Sequence, residues 1–368
     1  MTAELPALCV ARAQDAASWL SALVRAGSAE NTQALATNTH FDAATWQAGL
    51  ARTITPWADA AGLVDALSTD LHGGVARCAV LPTSALVVLG GVLPPSHLQA
   101  VLRPWLLGAE VLVKAPSQHL GLPAYLAASL PGVRLIDRDE VTPWSARVDA
   151  VVVVGGDDAV RAIGAHVPLA TPFLGYGDRL SIGFTNASPS TDAIAGFADD
   201  VLLYDQRGCL SLRELWVTGE PAAVAERLAD RLRGSAPRPP LGALEDRIRR
   251  FHDLAVMAGA VVHTEWSPAS EGRLLSWCVA IDPADTPLPP GPGGRCVVVR
   301  RFGPRVTSAT PLSSVAVAGA LSPGERQTLV RLGASRLVAP GALQAAPPTW
   351  WHDQRRPFSG LCRFVGGA

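Results

Sequence analysis

From residue 79 onward, apolar positions fall into two alternating patterns. Short β-branched runs occur at Leu86–Leu89, Val111–Lys114, Arg134–Ile136 and Ala150–Val154, and helix-length stretches at Pro95–Leu107 and Leu120–Leu130 lie between them. Continuous apolar strands separated by helices predict a parallel sheet covered on both faces. Such a sheet binds ligands beyond the carboxyl ends of its strands. Each run ends in a candidate loop: Gly90-Gly91, Lys114-Ala115-Pro116-Ser117, Asp137 and Gly155-Gly156. The G-x-G-x-x-G dinucleotide fingerprint is absent. Residues 1–70 show helical periodicity, as in Asp15–Ala26 and Phe41–Leu50, and read as helices covering a sheet edge or a partner subunit.

The second half continues the alternation. Helices are expected at Ser190–Tyr204, Pro221–Arg233, Leu241–Ala260 and Leu321–Leu332. Strands are expected at Glu214–Val217, Ala260–His263, Leu275–Ile281, Cys296–Arg301 and Ser335–Val338. The Pro/Gly-rich stretch Thr286–Gly294 reads as a surface loop joining two strands of one sheet.

The chain has 368 residues, enough for two or three domains with a large core. Apolar residues make up 48% and charged residues 17%, which describes a globular chain and not a disordered one. Net charge is -1, and the most basic stretch, Glu245-Asp246-Arg247-Ile248-Arg249-Arg250, offsets its bases with acids, so nothing calls for nucleic acid. The N-terminal residues Met1-Thr2-Ala3-Glu4-Leu5 lack the features of a signal peptide. The most apolar run, Ala79–Pro94, is broken by Pro82 and Gly90-Gly91 and is too short to span a bilayer. The six cysteines have no zinc-type spacing, which argues for reduced thiols in the cytoplasm and against a metal site.

One cysteine stands apart. The helical run ending near Tyr204 is followed by Asp205-Gln206-Arg207-Gly208, then Cys209, then a strand. Cys209 therefore lies at a hinge between two regular elements, where a side chain can face a cleft. A buried, inert thiol is the plain alternative.

Asp205-Gln206-Arg207-Gly208-Cys209-Leu210-Ser211 resembles the nucleophile motif of the LuxC family of acyl-CoA reductases, within the aldehyde dehydrogenase superfamily. The similarity continues upstream through Val154-Gly155-Gly156-Asp157 and Gly175-Tyr176-Gly177-Asp178-Arg179-Leu180-Ser181. Downstream it includes Arg301-Phe302-Gly303-Pro304-Arg305 and Trp351-His352-Asp353. The resemblance covers roughly residues 80–365 and implies an α/β chain of aldehyde dehydrogenase-like fold. Its two three-layer α/β domains would be a Rossmann-like cofactor domain, 1–185 completed by 341–368, and a catalytic domain, 186–340.

It also implies NAD(P)H-dependent reduction of an acyl thioester, on CoA or a carrier, to an aldehyde through an acyl-S-cysteine intermediate on Cys209. NADPH is the implied cofactor, with NADH as the alternative. An acyl-transferring partner enzyme and a homo-oligomer follow as further expectations. The implied cofactor residues are Lys114, Ser117, Gly155, Gly156 and Phe302. Lys114, the only lysine in the chain, would reach the adenosine ribose or its 2′-phosphate; a solvated strand-end lysine is the plain alternative.

Two departures from the superfamily bear on the chemistry. The glutamate that activates water in oxidising members is replaced by glycine in Phe173-Leu174-Gly175-Tyr176-Gly177-Asp178-Arg179, leaving Asp178 as the nearest acid. The asparagine of the oxyanion site is missing from Gly90-Gly91-Val92-Leu93-Pro94, so the Cys209 backbone N–H is the first expected donor. Lowering the thiol pKa needs positive potential, for which Arg207, nearby backbone N–H groups and the nicotinamide are the sources at hand. The alternatives are an oxidative aldehyde dehydrogenase and an inactive relative serving as a docking partner.

Overall fold

The structure is a computed structural model that describes residues 5–25, 35, 39, 41, 43–72, 79–117, 119–268, 272–283, 286–303 and 308–364. It contains two compact units, residues 1–178 with 345–368, and residues 179–344.

The first unit opens with α1 (Ala7–Arg25), α2 (Ala43–Ile54) and α3 (Ala60–His72). It continues through β1 (Ala79–Val80), β2 (Ser84–Leu89), α4 (Pro94–Leu106), β3 (Glu110–Lys114), α5 (Gly121–Ser129) and β4 (Val133–Leu135). Then come α6 (Val141–Ser145), β5 (Ala150–Val154), α7 (Asp157–Gly164) and β6 (Phe173–Tyr176). Five strands form one parallel sheet in the order β4-β3-β2-β5-β6. The unbroken apolar runs have their reason here, since β2 and β5 are buried along nearly their whole length. Leu86, Val88, Val151 and Val153 meet α6 and α7 on one face, and α4 packs across β2, β3 and β5. Pro94 opens α4 at a position where no N–H is needed.

The N-terminal helices belong to this unit. Arg12 on α1 donates to the Ala109 carbonyl at 2.9 Å, and Trp57 donates to Ala346 O at 2.9 Å. The C-terminal stretch is tied down from several sides. Asp70 on α3 accepts from the N–H groups of Phe358 and Ser359 at 2.8 and 2.7 Å. The His352 ring lies stacked between Tyr176 (4.1 Å) and Trp350 (4.3 Å). Near the chain's end β14 (Arg363–Phe364) pairs antiparallel with β1.

The second unit runs through β7 (Leu180–Asn186), α8 (Thr191–Leu202), β8 (Leu212–Thr218), α9 (Ala222–Leu232), α10 (Leu244–Met257) and β9 (Val261–Pro268). It ends with β10 (Arg273–Ile281), β11 (Cys296–Arg301), β12 (Leu312–Ala318), α11 (Pro323–Arg331) and β13 (Arg336–Val338). Its sheet has the order β13-β12-β7-β8-β11-β10-β9, parallel except for the edge strand β9. Strand residues alternate between two cores. Leu215, Val217, Trp277, Val279, Val297 and Val299 face α8 and α9. Their neighbours Trp216, Cys278, Ala280 and Val298 face α10 and α11. The result is a three-layer sandwich.

Sequence reading placed most of these elements to within a few residues but passed over β7 and β12. Gly183 hides the pattern of β7; a Cβ there would lie 2.6 Å from Leu215 Cδ1 and 2.8 Å from Phe197 Cε1. Ser313 and Ser314 interrupt the apolar run of β12 although both are fully buried. The connector before β11 also differs from expectation. Leu288 and residues 293–295 are buried, so the loop's second half is an internal wall and not a surface feature.

Candidate active site

The second unit presents Cys209 as an exposed thiol in a tight turn just before β8. The turn is built on an unusual backbone. After α8 ends, Tyr204, Asp205 and Gln206 all adopt left-handed conformations, with φ of 53°, 50° and 60°. Each costs a non-glycine residue about 1–2 kcal/mol, so the conformation must be held from outside.

The holding groups come from the end of the connector and the start of β11. The buried Asp205 carboxylate pairs with Arg295 at 2.7 Å, and the Asp205 carbonyl accepts from Gly294 N–H at 3.0 Å. The Gln206 amide bridges two strands, donating to Leu212 O and accepting from Cys296 N–H. On the far side of the turn Ser211 Oγ accepts from Gly208 N–H at 3.2 Å, and the Ser181 hydroxyl donates to the Cys209 carbonyl at 2.8 Å. The Asp-Gln pair of the motif is therefore the clamp that presents the cysteine. Burial pushes the Asp205 carboxyl up, and the Arg295 charge opposes this.

Positive charge reaches Cys209 from two arginines that sequence reading did not single out. Arg213, on β8, and Arg336, on β13, both interact electrostatically with the thiol, and burial lowers each guanidinium to about 10, leaving it charged at neutral pH. Arg207, the expected source, has instead the buried Asp205 charge as the partner that opposes its desolvation. Arg213 sits four residues after the cysteine and was within reach of a motif reading. Arg336 is remote in sequence and gave no signal.

Other cysteines contrast with this environment. Cys9, Cys278, Cys296 and Cys362 are buried. Burial pushes the Cys362 thiol up to about 12, and a hydrogen bond with Cys296 together with burial holds Cys278 well above the ordinary value. Cys78 lies outside the described residues. Phe302 packs on Phe184 at 5.0 Å and Trp216 at 6.0 Å and stays half-buried, with one part of its ring still open.

In the first unit, the carboxyl ends of β2 and β3 frame a second candidate feature with α6 and α7. A pocket of about 350 Å³ is lined by Lys114, Arg138, Thr142, Ser145, Ile163 and His166, among others. Burial and the charge of Arg138 both lower the Lys114 ammonium. Arg138 and His166 are additions to the sequence reading. Ser117 lies exposed in the turn beyond Lys114 and is not among the lining residues. Gly155 follows β5 directly, and Gly156 is the N-cap of α7. Gly90 is fixed by close approach, since a Cβ there would stand 2.8 Å from Val154 O.

The missing water-activating acid is accounted for in the same unit. At Gly175 a Cβ would collide with Val160, and at Gly177 with the Asp157 carboxylate. A side chain at either position would have to displace these neighbours. Asp178 is engaged locally: its carboxylate accepts from Asp157 N–H at 3.3 Å, and its own N–H donates to Asp157 Oδ1 at 2.8 Å.

Among the described residues no three His, Cys, Asp or Glu side chains gather into a metal-holding group, and no helix is long and apolar enough to cross a membrane.

Two sandwiches of this topology are the architecture of aldehyde dehydrogenases. The chain superposes with a TM-score of 0.73 on an NAD-dependent aldehyde dehydrogenase from Sinorhizobium meliloti, at 16% identity, covering 97% of this chain and 81% of that one. A putative methylmalonate-semialdehyde dehydrogenase from the same species, complexed with NAD, gives 0.72 at 12% identity, covering 98% and 86%. These likenesses establish the fold. Residues 88–364 match the family described as acyl-CoA reductase (LuxC), and the chain belongs to that family.

Its relatives include long-chain acyl-protein thioester reductase 2 of Photobacterium leiognathi, 24% identical over an alignment of 310 residues that covers 76% of this chain and 62% of the relative. The long-chain acyl-protein thioester reductase of Aliivibrio fischeri is 23% identical over 306 residues, again 76% and 62%. The chain thus spans 62% of the length of these curated relatives.

Proposed function

We propose that this protein reduces an acyl thioester, carried by CoA or by a carrier protein, to an aldehyde, with Cys209 as the nucleophile and NADPH as the cofactor. The observation that carries the reading is the exposed thiol of Cys209, held by a strained turn and interacting electrostatically with two half-buried arginines. The names of the curated relatives support a thioester as substrate.

The Cys209 thiolate attacks the acyl carbonyl carbon, a C–S bond forms, and the CoA or carrier thiolate leaves. Its neighbouring guanidiniums favour the ionised thiol before attack and after release, since the same thiolate is the leaving group when the aldehyde departs. Hydrolysis of the acyl-enzyme needs a base within hydrogen-bond reach of water. The glycines at 175 and 177 and the engaged Asp178 supply none from that block, which favours reduction over oxidation to the acid.

NADPH, when bound, supplies the hydride. Lys114 and Arg138 suit its 2′-phosphate: two cations face one pocket, burial penalises Lys114, and an anion between them relieves the mutual repulsion. Gly90, Gly155 and Gly156 would let its backbone-facing groups come close, and the open part of Phe302 would meet the nicotinamide. Ser117, exposed in the turn beyond Lys114, would make an outer contact to the ribose.

The test is turnover. Wild type with an acyl-CoA series and NADPH is expected to oxidise the nucleotide and release one trappable aldehyde per NADPH, and Cys209→Ala to do neither. Release of free acid with reduction of NADP⁺ from an aldehyde would establish the oxidative direction instead.

A further inference from the structure

Arg336 lies far from Cys209 in sequence, yet a polar ladder across the amino-terminal end of the second sheet joins them. Its Nε–H donates to Ser314 Oγ at 3.1 Å. Ser314 N–H donates to Ser181 Oγ at 3.4 Å, and the Ser181 hydroxyl donates to the Cys209 carbonyl at 2.8 Å. The three rungs stand on neighbouring parallel strands, β13, β12 and β7. Both serines are fully buried in strands whose other residues are mostly apolar. A buried hydroxyl is costly unless it is bonded, so two of them in one line mark a built connection. The guanidinium is further anchored on the Leu343 carbonyl.

We infer that Arg336 is a positioning residue for Cys209: through Ser314 and Ser181 it fixes the backbone of the nucleophile turn, and its fixed charge stabilises the thiolate.

The plain alternative is that Arg336 only pins the loop after β13. Asp200 on α8 is its acidic neighbour and accepts from Gly341 and Leu343 N–H at 2.6 and 3.1 Å. The thiol has a second cationic neighbour. Arg213 acts on Cys209 from β8; it also feels Cys296 and Arg247. Asp205 is spoken for by Arg295. The inference rests on Cys209 being the nucleophile, but its test reads the thiol itself and needs no acyl substrate.

That test is the rate of Cys209 alkylation by iodoacetamide against pH, without nucleotide, followed by peptide mass with Cys209→Ala as the blank. Losing an opposing charge is expected to move the midpoint in Arg336→Gln up by about one pH unit, with roughly tenfold slower alkylation at pH 7. Arg336→Lys, which keeps the charge but loses the planar fork, is expected to recover most of that rate. Ser314→Ala keeps the charge and the backbone rung to Ser181 but removes the rung to Arg336; it is expected to slow alkylation with little change of midpoint, and it serves if Arg336→Gln does not fold. An unmoved midpoint in a folded Arg336→Gln, or equal loss in the Gln and Lys variants, overturns the inference. A shifted midpoint alongside absent acyl reduction would overturn the proposed function alone.

Discussion

On the proposed function, Lys114 at a strand end and Arg138 in the loop before α6 would share the work of choosing a nucleotide. Both line one pocket of the first unit, and Cys209 belongs to the second unit. A charge-assisted contact to phosphate contributes about 1.5–3 kcal/mol. Lys114→Ala or Arg138→Ala is therefore expected to raise the KM for NADPH roughly 10- to 100-fold. The KM for NADH and the alkylation of Cys209 should stay near wild-type values. Equal weakening of both nucleotides would mean that these cations do not meet the 2′-phosphate. Sequence alone offered Lys114 through its place at a strand end and its being the only lysine, whereas Arg138 looked like any surface arginine. Only the fold of α6 and α7 over the sheet turns it toward the pocket.

At the scale of elements, α4 and the end of β2 are tied together by a titratable group. His97 on α4 is fully buried and hydrogen-bonded to the Gly90 carbonyl at 3.2 Å. Burial and the neighbouring His119, whose ring is 5.7 Å away, lower its pKa to about 4. With the folded-state value below the ordinary one, the fold excludes the proton. Above about pH 6.5 both states are neutral and pH has no effect. As pH falls from 6.5 toward 4 the unfolded chain takes up a proton that the fold refuses, and stability is lost, by about 2 kcal/mol between pH 7 and 5. Urea unfolding at the two pH values should show this loss in wild type and lack that share of it in His97→Leu. An unchanged pH slope in the variant would remove His97 from the explanation.

The same elements show what the sequence makes legible. β2, β3 and β5 announce themselves because burial on both faces demands continuous apolar runs, and the Ser322 capping box marks the start of α11. β7 and β12 carry glycine and serine where close packing and the ladder to Cys209 require them, so propensity hides them. The nucleophile turn was legible as a break and not as a clamp. Nothing local signals that Asp205 and Gln206 are held by residues 294–296, because their partners are distant in sequence and met only through the parallel pairing of β8 and β11.

For the whole molecule, the proposed thioester reduction would draw on one feature of each unit: an exposed, clamped thiol in the seven-stranded unit and a cationic pocket at the strand ends of the five-stranded one. On the proposed mechanism Cys209 carries the acyl group. Intact mass of the purified chain, after incubation with acyl-CoAs of several lengths and no nucleotide, tests it most directly. Wild type should gain one acyl mass, lose it on addition of NADPH with release of aldehyde, and Cys209→Ala should gain nothing. An acyl adduct that persists in Cys209→Ala, or no adduct in wild type with either acyl-CoA or an acyl carrier, would contradict it.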